Sequence, residues 1–460
     1  MKNNAKLLQG NVGWVITKMT FFMTFGMLGM ILFNLVDTYF IGQLGETQLA
    51  AISFTFPVVY IFGSIAIGIG NGASILISKA IGANDQDQVK DLATNAIVLA
   101  VLIVIVFVSI GWLTIRPLFT ALGATGQTLE YIVQYMQVWY AGMVFVVIPM
   151  VGNGAIRATG DMRTPTIIML TAVVVNVVMD YFLIFGHGPF PRMEMRGAAL
   201  ATVIGRSTTF TFALLILYFR EKMLSISALK LKRIWAAWKK IMYIGLPIAG
   251  THLIMPISMA IITRIIAGYG DPAVAGFGVA SRVQALMMSV LMALSSSIGP
   301  FIGQNLGAQK IQRIRQGVNF SYKFSFVWGV FTLGILWIFS EPIAKIFTEN
   351  VTTIEVIKLC FFILPFGFAL QGIVMISFTF LNVVNKPIQA AILNAIFVFG
   401  LYIPLAIVLS HIINLRGVFW ASPIALFIVT VVVVIWLRKL LMEQEEKFGK
   451  TEAIAEPAKA

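Results

Sequence analysis

LATNAIVLAVLIVIVFVSIGWLTI, residues 92–115, runs from Asp91 to Arg116 without one charged side chain. At 1.5 Å per residue a helix of this length crosses a hydrocarbon core of roughly 30 Å. Water is the wrong solvent for it. Similar apolar runs flank it on both sides, separated by short polar or Gly/Pro breaks, near 13–41, 50–78, 131–155, 165–186 and 197–219. Six more follow near 241–268, 275–303, 317–340, 354–382, 387–411 and 416–437, so the pattern predicts an all-α membrane protein of twelve transmembrane helices.

The totals agree. Of 460 residues, 59% are hydrophobic and only 11% charged, outside the usual balance of a soluble domain. The two longest polar stretches, about 220–240 and 442–460, are too short for a nucleotide-binding or catalytic module, which argues against an ATP-driven pump and against an enzyme. Cys360 is the single cysteine and lies in an apolar run, excluding an internal disulfide and a thiolate metal site. His187, His252 and His411 are scattered, and no metal-ligand cluster emerges. No cofactor is expected. The amino terminus runs into the first apolar segment without a small-residue cleavage pattern, so that helix is expected to stay as an anchor.

Most of the 33 Lys and Arg residues fall on the termini and the even-numbered loops, which predicts cytoplasmic termini in the inner membrane of a prokaryote. The net charge of +14 then reflects topogenic loops that touch anionic lipid, not nucleic acid. The densest cluster, Arg220 to Lys240, divides the chain into an amino-terminal lobe (1–219), a basic linker (220–240), a carboxy-terminal lobe (241–441) and a polar tail (442–460).

The halves repeat. At an offset of 225, Gly45 aligns with Gly270, Gly82 with Gly307 and Ala83 with Ala308; Pro165 pairs with Pro387, and Arg196-Gly197 with Arg416-Gly417. An even number of spans in each half predicts two parallel six-helix bundles related by a pseudo-twofold axis along the membrane normal. That architecture suits alternating access, although symmetry alone does not prove transport.

Ionisable groups at bilayer depth cost several kcal/mol unless paired or hydrated, and therefore point to function. The clear acids are Asp37 in the first span and Asp180 in the fifth, whose repeat positions hold Ile262 and Tyr402. Counted from Leu44, Gly186 and Gly197, the side chains of Asp37, Asp180 and Thr202 share a layer about 7–11 Å below one surface, with Asn176 one turn deeper on the face of Asp180. Two carboxylates, an amide and a hydroxyl are hard oxygen donors suited to a sodium ion or a bound proton. Close carboxylates in a low-dielectric setting do not both ionise cheaply, so one is expected to carry a proton near neutral pH. The alternative is a polar clasp that only locks helices together. Arg206, Arg264 and Arg282 fall in or near spans and are expected to snorkel or to pair with an acid or carbonyl. Met255, Met259, Met287, Met288 and Met292 offer adaptable apolar walls for a substrate, or plain packing.

FNLVDTYFIGQLG (33–45), SKAIGA (78–83) with its partner GQNLGA (303–308), NGAIRATGDMRTP (153–165) and NVVMD (176–180) together resemble the multidrug and toxic compound extrusion (MATE) family over nearly the whole chain. The resemblance implies a secondary antiporter, a monomer, that expels organic cations or amphipathic drugs in exchange for protons or sodium ions. Its coupling residues map onto Asp37, Asn153, Asn176, Asp180 and Thr202, with Tyr135 as a further candidate. An acidic first lobe without second-lobe acids looks closest to the DinF-like and archaeal branches. Those branches often carry a proline fifteen residues before the aspartate, where this chain has Phe22; Pro247 occupies the repeat position. A proline-dependent bend of the first helix is therefore not expected. The competing readings are a lipid-linked saccharide flippase of the same superfamily, which calls for a cationic cavity and fourteen spans, and a non-transporting channel or scaffold.

Overall fold

The computed structural model describes residues 5–455, with side chains described through Glu446. Among these residues there is helix and no strand. In lipid every backbone polar group must be satisfied within its own segment, and uninterrupted helices achieve this.

Long helices lie where the apolar runs predict them: α1 (Val12–Gly42), α2 (Glu46–Gly82), α3 (Gln86–Ala121), α6 (Arg163–Phe185), α7 (Glu194–Leu215), α8 (Leu231–Ala267), α9 (Asp271–Gly307) and α10 (Ile311–Ile338). The other passes are broken. The fourth consists of α4 (Gly126–Ala141) and α5 (Val144–Ala158), bent by 48°. The backbone of Gly142 at the bend lies directly against Val203 of α7, leaving no room for a side chain. A short helix, α11 (Ser340–Phe347), precedes the tenth pass, in which α12 (Val351–Ile363) and α13 (Phe368–Val383) meet at a tighter turn containing Pro365. The last stretch contains α14 (Pro387–Ala395), a wider turn of helix over Ile396–Tyr402, and α15 (Ile403–Ala455). Non-helical backbone at Ile413 and Asn414 divides α15, and with that division the passes number twelve among the described residues.

α8 starts at Leu231, upstream of the expected 241, because neighbours capture its first turns. Arg233 pairs with Asp91 at 3.2 Å, and the Trp238 indole donates to the Asn95 carbonyl at 3.0 Å. Contacts gather the chain into two compact units. One is Phe25–Ala249; the other joins the described residues before Phe25 to those from Gly250 onward, so the borders fall inside α1 and α8.

Within the first unit the helices approach through small residues. A Cβ on Gly72 would sit 2.9 Å from the Ile241 carbonyl and 3.0 Å from the Gly245 nitrogen, and Gly68 meets Gly245 and Ala249 in the same manner. Gly70 and Gly154 bring α2 against α5 equally closely. Such contacts gain dispersion energy where lipid offers no hydrophobic drive.

The internal repeat reaches the backbone. Asn84 and Gln309 both adopt a left-handed φ of 58°, as do Glu194 (47°) and Asn414 (54°), each two residues before an Arg-Gly pair. Gly197 then packs on the Leu183 carbonyl and Gly417 on the Leu409 carbonyl, each too close for a Cβ. One turn-and-packing device is used twice.

Candidate functional site

In the first unit α6 and α7 form the most extensive helix pair. A Cβ on Gly205 of α7 would lie 3.0 Å from Cβ of Asn176, so the two backbones nearly touch beside that amide. Gly26 and Gly29 seat α1 on Thr166 and Leu170 of α6. Further along α1, the Arg206 guanidinium lies over the Phe33 ring at 4.9 Å, and Phe40 meets Phe185 edge to face at 5.9 Å. Asp37 falls between these two anchors, one turn from each. Its helix face is thereby directed at α6 and α7.

Asp37 is only 9% exposed and Asp180 is fully buried, as is Asn176. Asp37 and Asp180 lie within electrostatic range of one another. Arg206 acts on Asp37, and the buried Tyr135 phenol of α4 faces both acids and Arg206. Thr202 lies against that phenol, outside well-formed hydrogen-bond geometry. The structure thus assembles Asp37, Asp180, Tyr135, Thr202 and Arg206, with Asn176 one turn along from Asp180. Arg206 entered the sequence reading only as a snorkelling or pairing cation; here it supplies the positive charge.

The polar atoms of this layer are unusual for a buried site. Asp37 Oδ1, both Asp180 oxygens, both polar atoms of the Asn176 amide and Thr202 Oγ1 have no hydrogen-bond partner within the protein. Buried polar groups are normally satisfied, and a cluster of unsatisfied ones calls for a ligand, an ion or water. The donor set, acceptor-rich and hard, fits a small cation or a proton shared between oxygens.

Asn153 is buried on α5, beside Gly152, which packs on Leu217 and on Ala213, the latter about three turns of α7 away from Thr202. Among the described residues no hydrogen bond joins Asn153 to the acids, and its Oδ1 has no partner. Four residues on, largely buried Arg157 donates from Nη2 to Asn71 Oδ1 at 3.3 Å, a neutral partner. By sequence Arg157 falls just past the 131–155 run; the helix extends to include it, placing it in the last turn of α5. In the second unit the repeat positions are apolar or neutral: Ile262 is buried and Tyr402 stacks on Phe397. Met255, Met259 and Met292 are exposed on α8 and α9, Met287 is partly covered and Met288 is buried.

The family model MatE matches residues 23–182 and again 247–408, once in each half of the chain. The chain belongs to the MATE family. It is therefore a multi-pass membrane transporter, not an enzyme, and MATE transporters need no cofactor. It is 38% identical to a FAD transporter of Shewanella oneidensis over 92% of this chain and 94% of that protein. It is 25% identical to the probable multidrug resistance protein YoeA of Bacillus subtilis over 88% of this chain and 90% of that one. Among solved structures, the Vibrio cholerae MATE transporter VcmN in the bent form matches with a TM-score of 0.89 and 26% identity, covering 96% of this chain and 99% of that one.

Proposed function

We propose that this MATE protein is a secondary active exporter in which inward movement of a proton or sodium ion at Asp37 and Asp180 drives substrate out of the cytoplasm. The observation that carries this reading is the buried, unsatisfied oxygen layer between α1, α6 and α7. Arg206 supplies one positive charge for two carboxylates, so the second acid needs a proton or a metal cation to be neutralised in a low-dielectric setting. Binding of that cation draws α1 toward α6 and α7, and its release loosens them. Antiport then requires that ion and substrate favour different states of the carrier. Asn176 and Thr202 complete the coordination, and Tyr135 orients it. The lobes 1–219 and 241–441 alternate between inward- and outward-open states, with both termini in the cytoplasm.

For the substrate, we assign an amphipathic aromatic anion of the FAD kind. The 38% identity to a FAD transporter supports it, and so does Arg157, a partly buried cation in the last turn of α5 whose hydrogen-bond partner is a neutral amide. A diphosphate would supply the counter-charge. The second reading, export of organic cations and drugs, rests on the 25% identity to a probable multidrug resistance protein and on the adaptable methionine faces.

The test is flux in proteoliposomes loaded with FAD or with ethidium, under a proton gradient and a sodium gradient imposed separately. Uphill movement of FAD under one gradient is expected. Movement of neither compound under either gradient refutes the exporter; movement of ethidium alone refutes the substrate assignment.

A further inference from the structure

We propose that the carboxy-terminal half of the chain carries a binding site for a zwitterionic phospholipid whose headgroup is an aminoethyl phosphate, at the end of the helices where α10, α11 and α12 meet the break in α15. A cavity of about 760 Å³ opens there, lined by Glu355, Lys358, Arg416, Thr352, Trp337 and Phe362. A second, of about 620 Å³, shares Leu359 and Arg416 and runs past Asn414 to Trp420. These volumes fall in the range of small-ligand sites. None of these residues belongs to the acidic layer described above.

The charges in this cavity are left over from the repeat. In the first half, Arg116 and Glu130 form a two-pronged ion pair at 2.8 and 3.0 Å. Their repeat positions, at the offset of 225, are Glu341 and Glu355. Glu341 pairs instead with Lys345 at 2.8 Å and with Lys358 at 3.0 Å. Glu355 has thus lost the arginine that its counterpart has, and it forms no ion pair among the described residues. Exposed Arg416 forms none either, although both side chains line one cavity. Lys358 retains N–H groups beyond the one given to Glu341, since an ammonium has three.

An anion and cations held apart in one cavity are complementary to a zwitterion. Arg416 and Lys358 match a phosphate, with the Thr352 hydroxyl beside them, and Glu355 matches a primary ammonium. A primary ammonium donates hydrogen bonds to a carboxylate, whereas a quaternary one has none to give. The Trp337 face that would otherwise attract a quaternary group is stacked on Phe362 at 4.9 Å, and its indole donates to the Phe362 carbonyl at 3.2 Å.

The surroundings select a lipid over a free headgroup. The helices that supply the cavity's lining also carry exposed apolar side chains: Ile338 at the end of α10 is 73% exposed, Ile346 on α11 77% and Val351 at the start of α12 71%, with Phe339 and Phe347 exposed as well. Apolar side chains exposed on these helices suit acyl chains better than water. Phe366 stacked on Trp420 at 5.5 Å extends the aromatic wall along the second cavity. Trp at this level is typical of the membrane–water interface.

The experiment is native mass spectrometry of the full chain in detergent, offered equal amounts of phosphatidylethanolamine, phosphatidylcholine and phosphatidylglycerol. Retention of phosphatidylethanolamine by about tenfold over the other two is expected for one additional charge-assisted pairing. Glu355→Gln removes the preference over phosphatidylcholine while phospholipid is still retained, and Arg416→Gln weakens retention of all three. Free phosphoethanolamine in excess does not displace the lipid. Equal retention of the three lipids by the unaltered protein overturns the proposal, and this comparison does not depend on any variant folding. Unchanged discrimination in a folded Glu355→Gln variant, or displacement by the free headgroup, overturns it as well.

Discussion

Asp37, Asp180 and Arg206 place two acids and one base in a part of the molecule where unpaired charge is expensive, and Asp37 Oδ1, both Asp180 oxygens, the Asn176 amide and the Thr202 hydroxyl have no hydrogen-bond partner within the protein. On the coupling reading, Asp37→Asn and Asp180→Asn each reduce gradient-driven flux to the level of empty vesicles while the protein remains in the membrane. Substrate counterflow without a gradient separates the two roles: it persists in a pure coupling defect. Wild-type driven flux in both well-expressed variants sinks the assignment. Asn176→Ala leaves an acceptor fewer without removing charge. It is expected to raise the ion concentration for half-maximal flux by about tenfold, the equivalent of one lost hydrogen bond to a charged group.

At the scale of elements, the loop between α5 and α6 is tied to the end of the pass that begins with α7. Asp161 accepts from the Thr164 backbone at 3.0 Å and from its hydroxyl at 2.6 Å, and Arg220 reaches both Asp161 and Thr164. Burial alone would raise the Asp161 carboxyl, but the Thr164 bonds and Arg220 outweigh it and hold the carboxyl below its ordinary value. A lowered value in the folded state means that this stabilisation is complete above the ordinary carboxylate range, near 3.9, and is lost as pH falls through the lower folded value. Asp161→Ala should cost about 1 kcal/mol, the usual worth of a helix cap, read as thermal unfolding in detergent. Combined with Arg220→Ala the losses should not add, since the two residues are in contact. A second comparison concerns the repeated glycines. Gly197→Ala and Gly417→Ala each force a methyl onto a backbone carbonyl, and both are expected to destabilise by about 1–3 kcal/mol. Loss in only one of them would show that the two devices are not equivalent.

For the molecule as a whole, the duplicated chain has kept its buried acids in one half and a charged, aromatic cavity in the other. A direct consequence is that Glu355→Gln, remote in sequence from the acids, should leave the identity of the driving ion unchanged. Parallel measurements of flux under imposed proton and sodium gradients check this. A switch of the driving ion in that variant would mean that the two halves are energetically linked at this site.

What the sequence determined by itself follows from properties that add along a chain. Bilayer thickness sets the length of an apolar run, so twelve passes, their approximate ends and the internal repeat were all readable, and charge in an apolar run singled out Asp37 and Asp180. Even Thr202 and Asn176 followed from counting turns. Tertiary structure alone decided which helix faces meet: the bend at Gly142 under Val203, the capture of the start of α8 by Asp91 and Asn95, and the convergence of Tyr135 and Arg206 on the acids. The placing of the unit borders within α1 and α8 was decided there too. Hydropathy is a sum over neighbours in sequence, whereas rotation and crossing of helices depend on side chains far apart in the chain, and no single segment encodes them.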